Sequence, residues 1–137
     1  MCLKVKSRVR PEHAKIDIVC YKILVKHYIG PILTSPIWQE CWWNIGETKF
    51  NFEEAIGSRI GNMREFGKGF FHVFTNKHDA LQAIGHDGYL NRANLFGART
   101  VLYECVIPKG TKYYTGVDSD GTLNYGTKAL KIIKEVM

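Results

Sequence analysis

The chain lacks any apolar run long enough to cross a bilayer, because its longest runs are a few residues and a spanning helix needs about 20. It has no charged start followed by an apolar block and a small-residue cleavage site, so we expect no secretory signal. Repeats and low-complexity tracts are also missing. With 45% hydrophobic and 23% charged residues, the sequence predicts one soluble globular domain over residues 1–137 and no membrane partner.

The cysteine and histidine spacings lack the common metal motifs. There is no CxxC, HxxxH or HExxH pattern, so we expect neither a metal nor a cofactor. The wide cysteine spacing favours a reduced, intracellular protein over a disulfide framework. The glycines flanking Lys68 are followed by no Ser or Thr, which excludes a P-loop. The four cysteines are Cys2, Cys20, Cys41 and Cys105.

Positive charge is concentrated near the start of the chain. The net charge is +6, and the first 28 residues carry seven Lys or Arg against two acidic residues. Alternation of cations with mostly apolar residues predicts a strand over residues 3–10, ended by Pro11. Its cationic face could follow a phosphate backbone, or it could guard an exposed sheet edge against aggregation. The four cations of this face are Lys4, Lys6, Arg8 and Arg10.

Periodicity and turn residues predict the remaining elements. Asn76 is a suitable N-cap for a helix that runs to Ile84, with Asp79 at the third helical position. Residues 51–69 fit either a helical turn or a loop, 86–98 a loop or short helix, and 123–136 a strand in preference to a helix. The sequence thus predicts an α+β fold with mostly antiparallel twisted sheets, split like a β-sandwich, and one main helix. The other predicted strands are 15–28, 38–45, 70–74, 100–107 and 111–115.

Neighbouring aromatic residues recur in the predicted strands. Successive strand residues point to opposite faces of a sheet, so both members of a pair cannot be buried if one face meets solvent. One member of each pair would then line a cleft that stacks a base or another planar ligand. The alternative is a fold in which both faces are covered. The pairs are Trp42 with Trp43, Phe70 with Phe71, and Tyr113 with Tyr114.

The stretch Phe66-Gly67-Lys68-Gly69-Phe70-Phe71, followed by the capped helix, resembles the central motif of the ADP-ribosyltransferase superfamily. In that family a glycine-led aromatic strand builds the nicotinamide pocket. Residues 101–111 resemble the family's next strand and its proline and glycine turn. Phe71 stands where many members carry a pocket tyrosine, and residues 123–126 contain no catalytic glutamate. The resemblance therefore implies ligand binding without transfer.

A second resemblance concerns the source of the chain, and it implies no mechanism. The pattern Ile45-Gly46-Glu47, then residues 69–74, then residues 108–114, is similar to small uncharacterised proteins of bacteriophages and large DNA viruses. This implies a viral protein located in the host cytoplasm or in the virion.

These observations lead to one functional hypothesis and two alternatives. The first is a non-catalytic domain that binds a nucleotide-like ligand, with Phe71, His72 and Tyr113 stacking or hydrogen bonding and Lys68 facing a phosphate. The second is a nucleic-acid-binding or virion-associated interaction protein that uses the four N-terminal cations. The third is an active transferase or hydrolase, which would need a carboxylate from Glu47, Glu65 or Glu104. The sequence makes no prediction of oligomeric state.

Overall fold

The computed structural model describes residues 3–6, 9–27, 33–34, 42–54, 57–66, 69–85, 98–118 and 120–136. These residues form thirteen strands and one helix, α1 (Lys77–Gly85). The strands, in chain order, are β1 (Leu3–Lys6), β2 (Glu12–His13), β3 (Ile18–His27), β4 (Leu33–Thr34), β5 (Trp42–Trp43), β6 (Thr48–Phe50), β7 (Ser58–Ile60), β8 (Met63–Phe66), β9 (Phe71–Phe74), β10 (Ala98–Ile107), β11 (Lys112–Val117), β12 (Leu123–Thr127) and β13 (Ala129–Glu135).

All thirteen strands belong to one sheet. Its main path runs β6-β13-β10-β3-β9-β12-β11-β1-β8-β7, and the named strands pair antiparallel throughout. Strands β12 and β13 are separated only by Lys128, so the chain passes directly from one half of this path to the other. The Lys128 ammonium holds that bend by donating to the carbonyls of Glu53, at 2.7 Å, and Gly69.

The predicted α+β class and the split pair of sheets are wrong. Strands make up 61% of the described residues and the helix 8%, and the strands form one sheet. The fold prediction failed for a physical reason: strand periodicity reports which residues share a face but not which distant strands pair. The pairing of β1 with β8 and of β9 with β12 joins strands that are remote in sequence.

Strand register assigns the side chains to two faces, which we name the Phe71 face and the His72 face after adjacent residues of β9. The largest core lies on the Phe71 face. A smaller cluster on the His72 face is covered by α1 and contains Ile23, Phe74, Ala80 and Leu102. A third cluster, also on the His72 face, lies where β1, β8 and β11 meet. The largest core includes Cys20, Leu24, Leu33, Trp43, Phe71, Val73, Val101, Tyr103, Cys105, Ile107, Leu130 and Ile132; the third cluster is Leu3, Val5, Phe66, Phe70 and Tyr114.

The segment at residues 57–66, which was ambiguous in sequence, is a tight hairpin. Ile60 pairs with Met63 across a two-residue turn, and Gly61 within that turn has a φ of +60°. A positive φ is accessible to glycine at little cost and fits the primed turns that join antiparallel strands. Gly61, one of the glycines that suggested a loop, therefore marks a turn between two short strands.

Several predicted elements are confirmed with altered bounds. Strands over residues 15–28, 70–74, 100–107 and 111–115 are present as β3, β9, β10 and β11. Of the strand predicted over residues 3–10, the described residues Leu3–Lys6 form β1 and the described residues 9–10 lie outside a strand. The strand predicted over 123–136 is broken at Lys128 into β12 and β13. The loop or helix predicted at 86–98 lies mostly outside the described residues.

Helix α1 begins at the predicted cap. The Asn76 side-chain oxygen accepts a hydrogen bond from the Asp79 backbone NH at 2.8 Å. The Asn76 side-chain amide in turn donates to the Asp79 carboxylate at 2.8 Å. This reciprocal pair satisfies an orphan backbone donor, and the Asp79 charge interacts favourably with the helix dipole.

Replacing Asn76 with Ala should lower the free energy of unfolding by about 1 kcal/mol, because the first turn loses its cap. Urea denaturation followed by circular dichroism measures this change. Gln82→Ala, an exposed substitution within α1, is the control and should change stability by less than about 0.5 kcal/mol. Equal effects of the two substitutions would contradict a capping role for Asn76.

Candidate functional site

The structure brings two of the predicted ligand residues onto one face. Phe71 lies directly opposite Thr127, which lies opposite Tyr113, which lies opposite Glu12. Directly opposed residues of antiparallel strands share a face. These four residues therefore form one cross-strand row on the Phe71 face, spanning β9, β12, β11 and β2. Lys68, which was also predicted to contact the ligand, lies outside the described residues.

An aromatic pair with two lysines stands at the Phe71 end of this row. The rings of Phe71 and Trp43 are 4.8 Å apart at 65°, an edge-to-face contact. The Lys22 Nζ lies 5.7 Å from the centre of the Trp43 ring and the Lys49 Nζ lies 5.5 Å from it. Both distances fall within the range of cation–π attraction. Two ammonium groups therefore share one indole.

Backbone carbonyls orient both ammonium groups. The Lys22 Nζ donates to the His72 carbonyl at 3.0 Å, and the Lys49 Nζ donates to the Trp42 carbonyl at 2.6 Å. Lys22 is buried, whereas Lys49 is half-buried. Since an ammonium has three donors, Lys49 can contact an anion from solvent while keeping its bond to Trp42.

The other end of the row carries a tyrosine and a carboxylate. The Tyr113 hydroxyl donates to the Glu12 Oε2 at 2.8 Å. This hydrogen bond, with a smaller effect of burial, raises the pKa of Tyr113 to about 12. The Tyr125 ring lies 5.6 Å from the Tyr113 ring at 89°, and both rings are half-buried. An aromatic surface with a polar end is thus available at this side of the core.

His72 lies on the opposite face from Phe71 and Tyr113. It is opposite Gly126, and neither of its ring nitrogens has a hydrogen-bond partner although both are shut off from solvent. Burial, followed by the charge of Lys22, lowers the pKa of His72 to about 3. The side-chain oxygen of Asn124, on the same face, is also buried without a partner. The side chain of His72 does not join the cross-strand row.

The four predicted cations of the N-terminal stripe do not lie along one strand. Lys4 and Lys6 belong to β1, Arg10 is exposed beyond its end, and Arg8 lies outside the described residues. Strand β1 pairs with both β8 and β11, and Lys4 lies opposite Glu65. Strand β1 is therefore an interior strand of the sheet, whereas a stripe that guards against aggregation would lie on an edge strand. A role of these cations in nucleic-acid binding stays a prediction.

The three candidate catalytic carboxylates lie away from the row. Glu47 is exposed and accepts a hydrogen bond from the Asn44 side chain at 3.1 Å. Glu65 lies beside Lys4, and Glu104 on β10 belongs to the His72 face, opposite Tyr21. Glu12 is the carboxylate that the described structure places on the row.

Sequence reasoning named Trp43 as a member of an aromatic pair but missed three other residues of this site: Glu12, Lys22 and Lys49. Lys22 carried a usable signal, because it is a cation on an apolar strand face between Cys20 and Leu24. Glu12 and Lys49 carried no such signal, since their roles depend on strand pairing that periodicity does not report.

Within the described residues, no three His, Cys, Asp or Glu side chains are grouped as a metal would require, and no helix is long and apolar enough to cross a membrane. The described cysteines, Cys20 and Cys105, are buried free thiols that face each other across β3 and β10. In comparisons with known proteins, no family model, no curated protein and no solved structure matches this chain.

Proposed function

We propose that the protein is a non-catalytic binding domain for a nucleotide-like ligand, one that carries a planar ring and a phosphate. The observation that carries this proposal is the pair of lysine ammoniums held on the Trp43 ring beside Phe71. The ligand would lie along the cross-strand row, with its phosphate at Lys49 and its ring towards Tyr113.

The phosphate end follows from electrostatics. The indole face attracts both ammonium groups, which concentrates positive charge where Trp43 itself is only 2% exposed. Charges at a partly buried position are screened less by solvent than charges at the surface. Charge-assisted hydrogen bonds from an ammonium to a phosphate are about twice as strong as neutral ones. Lys49, the more accessible of the two cations, would make this contact.

The ring end follows from the aromatic side chains. Phe71 and Tyr113 are separated by two strand spacings, about 10 Å, with Thr127 between them. Phe71 is 8% exposed, so the half-buried rings of Tyr113 and Tyr125 offer the stacking surface. Stacking on an aromatic side chain contributes about 1–3 kcal/mol per base. Glu12 at this end would repel a phosphate and so favour one orientation of the ligand.

Two features support binding without catalysis. The candidate catalytic carboxylates Glu47, Glu65 and Glu104 all lie off the row. Glu12 lies on it and already accepts the Tyr113 hydroxyl. A carboxylate engaged in this way serves to orient Tyr113.

Isothermal titration calorimetry against NAD, ADP-ribose and cyclic AMP tests the proposal. At least one of these ligands should bind, and Lys49→Met should weaken that binding by about 10- to 100-fold, the loss expected for a hydrogen bond to a charged group. Lys134→Met, which removes an exposed cation of β13, is the matched control and should leave the affinity unchanged. The absence of heat with all three ligands would refute the proposal.

A further inference from the structure

The two terminal strands of the sheet path have complementary character. Strand β6 ends the path on one side and β7 ends it on the other. Within the described residues, β6 pairs only with β13 and β7 only with β8. An edge strand presents backbone donors and acceptors that can pair with another chain.

The β6 edge is aromatic and acidic. The rings of Phe50 and Phe52 are stacked at 6.0 Å, and these residues are 56% and 90% exposed. Glu53 and Glu54 follow directly and are exposed. Lys49 belongs to the Phe71 face, because it lies opposite Leu130, and its ammonium is directed to the Trp42 carbonyl. Lys128, which donates to the Glu53 carbonyl, is half-buried, so the exposed side chains of this edge are apolar or negatively charged.

The β7 edge is cationic. Arg59 is exposed and lies directly opposite Arg64 of β8, and like charges in that position are unfavourable. Arg64 donates to the Val9 carbonyl, which brings the exposed Arg10 next to this edge. The Arg64 Nε is buried without a partner. An incoming carboxylate would relieve the repulsion between the two arginines.

The faces of the two edges are also compatible. Phe50 lies opposite Ala129, away from the face of Lys49 and Leu130, and therefore belongs to the His72 face. Arg59 lies opposite Arg64, and Arg64 lies opposite Val5 of the third core cluster. Both arginines therefore also belong to the His72 face. Pairing of β6 with β7 of another copy would continue the sheet and place Phe50 beside Arg59, a cation–π arrangement.

The connection between the two edges limits the form of the assembly. Ser58 follows Phe50 by eight residues, so the two strands lie within about 27 Å of each other. If a twofold axis relates two copies, both β6–β7 contacts form together and the assembly closes at a dimer.

We propose that β6 binds β7 of a second copy of this chain, and that a twofold dimer with two such contacts is the form present at micromolar concentration. This inference does not depend on ligand binding at the cross-strand row. It assigns the exposed Phe50 and Phe52 side chains to a protein interface, where aromatic and arginine residues are enriched.

Sedimentation equilibrium with a charge-exchange pair of variants tests the dimer. Arg59→Glu alone, and Glu53→Arg with Glu54→Arg alone, should each be monomeric, because both contacts of each homodimer then join like charges. An equimolar mixture should form a heterodimer, since both contacts are complementary again. Lys134→Glu, which alters a cation on β13, is the control and should remain dimeric.

Each outcome decides the proposal. Dimers of the wild type that dissociate as salt rises, with recovery in the mixture, support it. A monomeric wild type at all micromolar concentrations overturns it and leaves the β6 edge to a different partner. An open series of larger species overturns the closed form, and dimers that persist in both charge variants overturn the assignment of the interface to these edges. Circular dichroism of each variant excludes unfolding as the cause of a lost dimer.

Discussion

Acidification from about pH 7 to about pH 4.5 should cost the wild-type protein about 2.5 kcal/mol of unfolding free energy through His72 alone. The expected loss follows from a pKa of about 3 in the folded protein against about 6.5 in the unfolded chain. Urea denaturation at the two pH values measures it. The effect is large compared with the total stability of a domain of this size, which is about 5–15 kcal/mol.

The direction of the effect follows from which state binds the proton. The folded protein holds His72 neutral, because both ring nitrogens are buried without partners and the Lys22 ammonium is bonded to the His72 carbonyl. The unfolded chain takes up a proton as the pH falls below about 6.5. Stability is therefore fully present above that pH and is lost progressively down to about pH 3, where the folded form also protonates.

Two variants isolate His72 from the other titrating groups. His72→Phe keeps a ring at this position, removes the two orphan nitrogens, and should reduce the loss between the two pH values by about 2.5 kcal/mol. His78→Gln removes a histidine that is exposed on α1 and should retain the wild-type loss. If wild type and His72→Phe lose equal stability, the buried neutral histidine is not the cause of the acid sensitivity.

The sequence predicted best where the deciding interactions are local. The Asn76 cap and the spacing of Ala80 and Ile84 lie within one helix, and α1 forms where they indicated. The strands predicted over residues 15–28 and 100–107 likewise form, as β3 and β10, because strand geometry fixes a period of two. These elements carry their information in consecutive residues.

The sequence predicted least where the structure depends on pairing between distant strands. Phe71 and Tyr113, both predicted to contact a ligand, lie on one face. His72 was grouped with them in the prediction but lies on the other face, because successive strand residues point to opposite sides. Lys22 and Lys49 meet on Trp43 only because β3, β5 and β6 are assembled around one core. No short segment of the sequence contains all three strands. The position of both lysines on Trp43 therefore could not be predicted from the sequence.

Gly116→Ala should destabilise the protein by about 3 kcal/mol or more, at the upper end of the cost of overpacking a core. A Cβ at this position would lie 2.5 Å from the Lys4 carbonyl oxygen, and 2.9 Å from the Leu3 side chain. Because the carbonyl is backbone, it cannot rotate away, and β1 must move off β11. Leu3 and Val5, both buried in the third core cluster, would move with it.

Gly126→Ala provides a graded comparison at a neighbouring contact with the same strand. Its Cβ would lie 2.5 Å from the Leu3 Cδ2 and 3.3 Å from the Phe70 Cβ, so the closest atom belongs to a flexible side chain. Rotation of Leu3 can relieve part of this contact, and the loss should be smaller, about 1–2 kcal/mol. Urea denaturation of both variants gives the order of the two effects.

A double-mutant cycle with Leu3→Ala separates the two mechanisms. Truncation of Leu3 removes the atoms that Gly126→Ala meets first, so this pair of substitutions should cost less than the sum of the single effects, by about 1 kcal/mol. The Lys4 carbonyl remains in place beside Gly116, so Gly116→Ala should keep most of its cost in the Leu3→Ala background. Equal relief of both glycine variants by Leu3→Ala would show that side-chain crowding, and not the approach of the β1 backbone, requires glycine at position 116.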